Sequence, residues 1–218
     1  MGASNAERLD RGIDVLGLDL DGTQRAALLA YLELLAHWNR AYNLTAVRDP
    51  AEMVTRHLLD SLAVVPWLDG VSLIDVGTGA GLPGIPLAIA RPDLAVTLLD
   101  ASSKRIRFVR QAVIELGLQG VTPVQARVES FRASDGFDMV ISRAFTALSD
   151  MLTSCRHLVA ADGRFLAMKG AQVERELADL PAGFDVLDVT ELQVPGLEAT
   201  RMLVRARIAE GLRRDRDQ

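Results

Sequence analysis

Residues Leu73-Ile74-Asp75-Val76-Gly77-Thr78-Gly79-Ala80-Gly81 run from an apolar stretch through one carboxylate into a glycine-rich turn. Glycines let a backbone turn tightly and approach a ligand that a Cβ would exclude. About twenty residues further on, Leu98-Leu99-Asp100 ends a second apolar run with the carboxylate that such sites use to hold two ribose hydroxyls. The chemistry implied is the binding of a nucleotide-like cofactor at the ends of adjacent strands.

Two cofactors fit this signature. Gly79-Ala80-Gly81-Leu82-Pro83-Gly84 satisfies the dinucleotide pattern G-x-G-x-x-G, which alone suggests NAD. Asp75 argues against it: a pyrophosphate sits over this turn, and a carboxylate just before the first glycine would repel it. S-adenosylmethionine carries a sulfonium and an ammonium and no phosphate, so negative charge helps. An acidic residue followed by G-x-G-x-G is the methyltransferase form of the turn. S-adenosylmethionine is the favoured cofactor, with Asp75, Gly77, Gly79 and Asp100 as candidate contacts.

The chemistry that is absent narrows the substrate. There is no H-E-x-x-H, C-x-x-C or G-x-S-x-G, so no metal centre or acyl-transfer triad is expected. His37, His57 and His157 are scattered and read as structural or surface residues. Cys155 lies at helical spacing with Leu148, Leu152 and Val159 and reads as core, which argues against a cysteine-relay RNA methyltransferase. Where exocyclic-amine methyltransferases carry an N-P-P-Y type motif, this chain has Ile141-Ser142-Arg143-Ala144-Phe145. No carboxylate base is offered there. A nucleophile with a free lone pair and no proton to lose, such as guanine N7, needs none. Alignment can then carry catalysis, a contribution of up to ~7–11 kcal/mol. Arg143 would hold the base through O6 or a phosphate, its alternative being a structural ion pair. Phe145 would stack on a base or pack in the core.

These residues need a sheet to position them. Strands are predicted at Ser72–Val76, Ala95–Leu99, Val121–Gln125, Asp138–Ser142, Arg164–Met168, Phe184–Thr190 and Arg201–Arg207. Helices are predicted at Pro83–Ala90, Ser103–Leu116, Leu148–Leu158 and Ala171–Leu180. The alternation implies an α/β fold with a mostly parallel, Rossmann-like seven-stranded sheet. The two last strands have no helix between them, the mark of a class I methyltransferase whose last strand inserts antiparallel. Residues 1–70 form a helical N-terminal extension, 71–210 the cofactor-binding domain, and 211–218 a charged tail expected to be disordered. Within the extension, residues 1–20 read as mixed and partly ordered, and Thr23–Arg40 as a helix. Asp49-Pro50-Ala51-Glu52 opens another, with Asp49 capping and Glu52 reaching back; Val54, Leu58, Leu62 and Val65 continue it on one face.

Composition bounds the setting. A chain of 218 residues that is 49% hydrophobic buries an ample core, yet no apolar run approaches the ~20 residues of a membrane span. No secretory signal is seen, and a single cysteine fits a reducing cytoplasm. The net charge of −5 looks wrong for a nucleic-acid partner. Its distribution does not: Ala101 to Arg132 holds Lys104, Arg105, Arg107, Arg110, Arg127 and Arg132 against Glu115 and Glu129, a net +4. Either a local basic surface or an ordinary solvated helix face accounts for that segment.

Several separated blocks resemble the ribosomal RNA small subunit methyltransferase G family, also called glucose-inhibited division protein B. They are Asn39 to Thr45, Arg56 to Leu62, Asp75 to Pro86, Leu99-Asp100 with Lys104-Arg105, Gln125 to Glu129, Ile141 to Phe145 and Met168-Lys169-Gly170. The resemblance implies S-adenosylmethionine-dependent methylation of guanine N7 in a 16S rRNA loop near the decoding centre. It assigns cofactor roles to Gly77, Leu82, Val128, Glu129 and Arg143. Val128 and Glu129 would bracket the adenine. Arg143 and Lys169 are the candidate catalytic residues, and Arg127, Lys104, Arg105 and Arg201 the candidate RNA contacts. Surface ion pairs are the alternative for Arg127, Lys169 and Arg201. Ala80 stands where the family commonly has proline, a small residue expected to cause no loss. Either Asn43 and Thr45 cap backbone turns and His57 and Asp60 pair on one helix face, or this helical extension shapes one wall of an RNA groove. The implied partner is 16S rRNA in the small subunit or its precursor, met by a cytoplasmic monomer without a membrane. A small-molecule methyltransferase, an NAD-dependent oxidoreductase and a non-catalytic assembly factor are the competing readings.

Overall fold

A computed structural model of the chain describes residues 3–143, 145 and 147–212. Apolar runs rich in Val, Leu and Ile form strands buried on both faces, as a parallel sheet requires. The strands are β1 (Ser72–Val76), β2 (Ala95–Asp100), β3 (Val121–Gln125), β4 (Phe137–Ser142), β5 (Val159–Lys169), β6 (Phe184–Leu192) and β7 (Arg201–Ile208). Their spatial order is β3-β2-β1-β4-β5-β7-β6. β1 pairs in parallel with β2 and β4, and β7 inserts antiparallel between β5 and β6. The expected strand pattern is met, with β5 longer than anticipated. Because β1 leads to β2 on one side while β4 leads to β5 on the other, the connections that leave the carboxyl ends of β1 and β4 diverge. Ligands settle in the crevice at such a switch point. The glycine turn follows β1, and Arg143 follows β4.

Between the strands lie α5 (Gly84–Ala90), α6 (Ser103–Glu115), α7 (Leu148–Cys155) and α8 (Val173–Ala178), introduced by α1 (Asn5–Val15), α2 (Gly22–Tyr42), α3 (Pro50–Met53) and α4 (Asp60–Leu62). Cys155 is fully buried on α7, and burial pushes its thiol pKa up to about 12. The ordered α1 departs from the mixed segment expected. Its cause is local: Ser4 and Glu7 close a capping box, and Leu9 and Ile13 are buried.

A larger departure lies between residues 50 and 67. One continuous α-helix is expected there. The chain instead runs from α3 into a π-helical turn, Val54–Leu59, then α4 and a 3-10 turn, Val65–Trp67. Asp49 caps by accepting from Ala51 N, whereas Glu52 lies 4.0 Å from Arg56 rather than closing a box. The wider turn shifts the phase of the side chains after it. His57, Asp60 and Ser61 are thereby buried. Leu9, Leu28, Leu35 and Leu58 of the extension share one core with Leu73 and Leu98 of the sheet. The extension is therefore packed against the sheet rather than merely appended to it. No described helix is long and apolar enough to cross a membrane. The expected tail lies largely outside the described residues, which end in a 3-10 turn at Glu210–Leu212.

Candidate active site

The turn after β1 is held from three directions. Gly77 N and Thr78 N donate to the Leu99 carbonyl at 2.8 and 3.0 Å, and Gly79 N donates to Asp100 Oδ2 at 2.9 Å. The Tyr31 hydroxyl of α2 donates to the Ala80 carbonyl at 2.7 Å. Gly77 adopts φ 72° and Gly79 φ 59°, left-handed values that favour glycine. At Gly84 a Cβ would collide with Leu98 and come within 2.9 Å of Asp75 Oδ2.

Asp75 folds beneath the turn. Its carboxylate is fully buried and lines neither cavity described below. Oδ2 accepts from Thr78 Oγ1 at 2.7 Å and from Gly84 N, the first amide of α5, at 2.9 Å. Oδ2 thus braces the turn from beneath, while Oδ1 is buried without a hydrogen-bond partner among the described residues. The argument against a pyrophosphate survives with a different cause: the anion place at the start of α5 is already filled by the protein's own carboxylate. Burial pushes the Asp75 pKa up to about 6, against the lowering effect of those two hydrogen bonds.

Beside the turn, a cavity of about 260 Å³ is lined by Gly77, Asp100, Arg105, Val128, Glu129 and Phe145, among others. Its remaining wall is apolar, from Val76, Leu99, Ala101 and Ala126, with Arg127 at its edge. Apolar walls around two carboxylates suit an adenosine that carries a positive charge, which is the fit S-adenosylmethionine requires. Asp100 is 5% exposed, and its Oδ1 also accepts from Ser102 N at 2.8 Å. It thus fixes the turn while facing the cavity. Asp100→Ala removes a charged acceptor from two amides and from Arg105, and takes a carboxylate from the cavity wall. S-adenosylmethionine affinity should fall about 30- to 100-fold by titration calorimetry. A change within about threefold would remove Asp100 from the cofactor site.

A second, smaller cavity of about 170 Å³ shares Gly77 and Arg105 with the first. Gly79, Leu82, Thr45 and Arg143 also line it. Arg143 therefore belongs to the second cavity, not the first. Its Nη1 donates to Asp60 Oδ2 at 2.9 Å and to the Arg56 carbonyl at 3.2 Å. Asp60 Oδ1 accepts from Arg201 Nε at 2.7 Å. The expected His57–Asp60 pair is absent, because His57 Nε2 meets Thr45 Oγ1 at 2.9 Å instead. Burial and the Arg143 charge lower the His57 pKa to about 4, so the ring is neutral at pH 7. Thr45 N in turn donates to Asn39 Oδ1, so Thr45 is a braced wall residue and not only a turn former.

The other candidate residues divide. Lys169 is not itself among the residues lining either cavity; its side chain is 5% exposed, paired with Glu176 at 2.7 Å and donating to the carbonyl of the lining residue Phe145 at 3.1 Å. A buried, paired ammonium of this kind orients the Phe145 segment that lines the first cavity. Arg201 is tied to Asp60, while Lys104, Arg105, Arg107, Arg110, Arg127 and Arg132 are exposed. The sequence offers Asp60 only a His57 partner, because its actual partners lie 83 and 141 residues away. A carboxylate inside an otherwise apolar helical run was the only signal.

Residues 24–204 match the family model described as rRNA small subunit methyltransferase G. A Klebsiella pneumoniae protein named Ribosomal RNA small subunit methyltransferase G is 55% identical over 197 residues, 90% of this chain and 95% of that one. Its namesake from Chromohalobacter salexigens is 55% identical over 202 residues, 93% and 97% of the two chains. Among solved structures, a SAM-dependent methyltransferase from Aquifex aeolicus is similar with TM-score 0.55 at 17% identity, covering 72% of this chain and 93% of that chain. That likeness is one of fold, the class I methyltransferase fold with its inserted antiparallel strand.

Proposed function

Since the chain belongs to the rRNA small subunit methyltransferase G family, we propose that it transfers a methyl group from S-adenosylmethionine to N7 of a guanine in 16S rRNA. It acts as a cytoplasmic monomer on the small ribosomal subunit or its precursor. The observation that carries this reading is the pair of cavities meeting at Gly77 and Arg105, one suited to the cofactor and one opening beside Arg143.

The bound cofactor supplies an electrophilic methyl group. The chain's residues do the rest by placement. Asp100, Val128 and Glu129 hold the nucleoside end, and the glycine turn leaves room for the amino-acid end. Arg143 donates to guanine O6 so that the N7 lone pair faces the methyl group. N7 has no proton to lose, so no base is required, and neither cavity presents one beside Arg143.

The exposed basic residues between 101 and 132 supply the phosphate contacts. If about five phosphates are neutralised, raising salt from 50 to 200 mM should weaken RNA binding about 10²-fold. Filter binding of subunits at graded salt measures the slope. Binding indifferent to salt would contradict a basic RNA surface.

A further inference from the structure

We propose that Asp60 is a positioning residue for methyl transfer, holding Arg143 against the second cavity and yoking it to Arg201. The inference rests on the methyltransferase reading and goes beyond it, because it gives the N-terminal segment a share in the active site.

Asp60 is 0% exposed and offers one oxygen to each arginine. Those arginines come from the end of β4 and the start of β7, so one carboxylate joins three distant parts of the chain. The π-helical turn delivers it there. One guanidinium would already balance the carboxylate; two leave a net positive charge, as an anionic substrate favours. The Arg143 side chain is 25% exposed and lines the cavity, so it is tied at one edge and open at the other. The Arg56 carbonyl is its second tether.

Chemistry gives the carboxylate a reason to be there. A guanine attacking through N7 gains positive charge, which a bare guanidinium beside it would oppose. A carboxylate 2.9 Å from Nη1 offsets that charge while leaving other N–H groups of Arg143 to donate. Asp60 acts through Arg143 and touches neither substrate nor cofactor.

A double-mutant cycle tests this. Full-length Asp60→Asn, Arg143→Ala and the double variant are compared in single-turnover methyl transfer to unmethylated small subunits, with S-adenosylmethionine affinity and melting temperature alongside. Asp60→Asn should slow transfer at least about tenfold with cofactor affinity within about twofold. The double variant should be no slower than Arg143→Ala alone. A folded Asp60→Asn at the wild-type rate, or losses that multiply in the double variant, overturns the proposal. If Asp60→Asn does not fold, Asp60→Ser, which likewise removes the charge, takes its place under the same criteria. A wild-type chain that methylates no subunit overturns the functional reading itself, a result distinct from an active wild type beside an unimpaired Asp60 variant.

Discussion

Arg143→Ala is expected to slow methyl transfer about 10²- to 10³-fold while S-adenosylmethionine affinity stays within about threefold of wild type. The separation follows from the geometry. Arg143 lines the cavity beside the glycine turn that does not carry Asp100, Val128 or Glu129. Removing it takes a fixed donor from the base and leaves the cofactor walls intact. Misplacing a reacting atom by even about 1 Å can cost about 10²-fold in rate. Stability should fall as well, because Asp60 would keep Arg201 alone as a charged partner in a fully buried position. Single-turnover rates and calorimetric cofactor titration separate the two effects. An equal loss in rate and in cofactor affinity would move Arg143 into the cofactor site, and an unchanged rate would remove it from the active site.

A second large effect is expected from Asp75, as a function of pH. Burial lifts its pKa from the ordinary 3.8 to about 6, so the folded chain holds that proton more tightly than the unfolded chain. The stabilisation this provides is fully present below about pH 4 and is lost as pH rises through 6. From pH 4 to pH 7 the loss is on the order of 3 kcal/mol. Asp75→Asn abolishes the titration and keeps an acceptor for Gly84 N and Thr78 Oγ1. The stability of Asp75→Asn relative to wild type should therefore improve by that amount between pH 4 and pH 7. Urea unfolding at several pH values measures it. A constant difference between the two chains across that window would contradict the account.

Which features could be read in the sequence follows from the range of the interactions involved. The glycine turn, the strand alternation and the Cys155 core position depend on local spacing, and each is visible there. Asp100 at the end of β2 was placed correctly because strand length fixes where a strand ends. Asp75 was located, but its hydrogen bonds within the turn were not. Spacing says that a carboxylate precedes the turn but not that it folds beneath it to reach Gly84 N nine residues later. The π-helical turn at Val54–Leu59 was illegible because Val54, Leu58 and Leu62 also satisfy an ordinary α-helical face. Missing that turn hid the burial of Asp60. Lys169 likewise carried a motif position without its partner, since Glu176 on α8 shares no pattern with it. Pairings between distant elements decided what these charged residues do, and a spacing rule has no access to them.

The most direct test of the central claim is methyl transfer from labelled S-adenosylmethionine to small ribosomal subunits lacking the modification, followed by mass spectrometry of the released nucleosides. The account predicts one new 7-methylguanosine per subunit, in 16S rRNA and formed about 10²- to 10³-fold more slowly with Arg143→Ala. Tight S-adenosylmethionine binding with no label in the RNA, or label on any atom other than guanine N7, would contradict it.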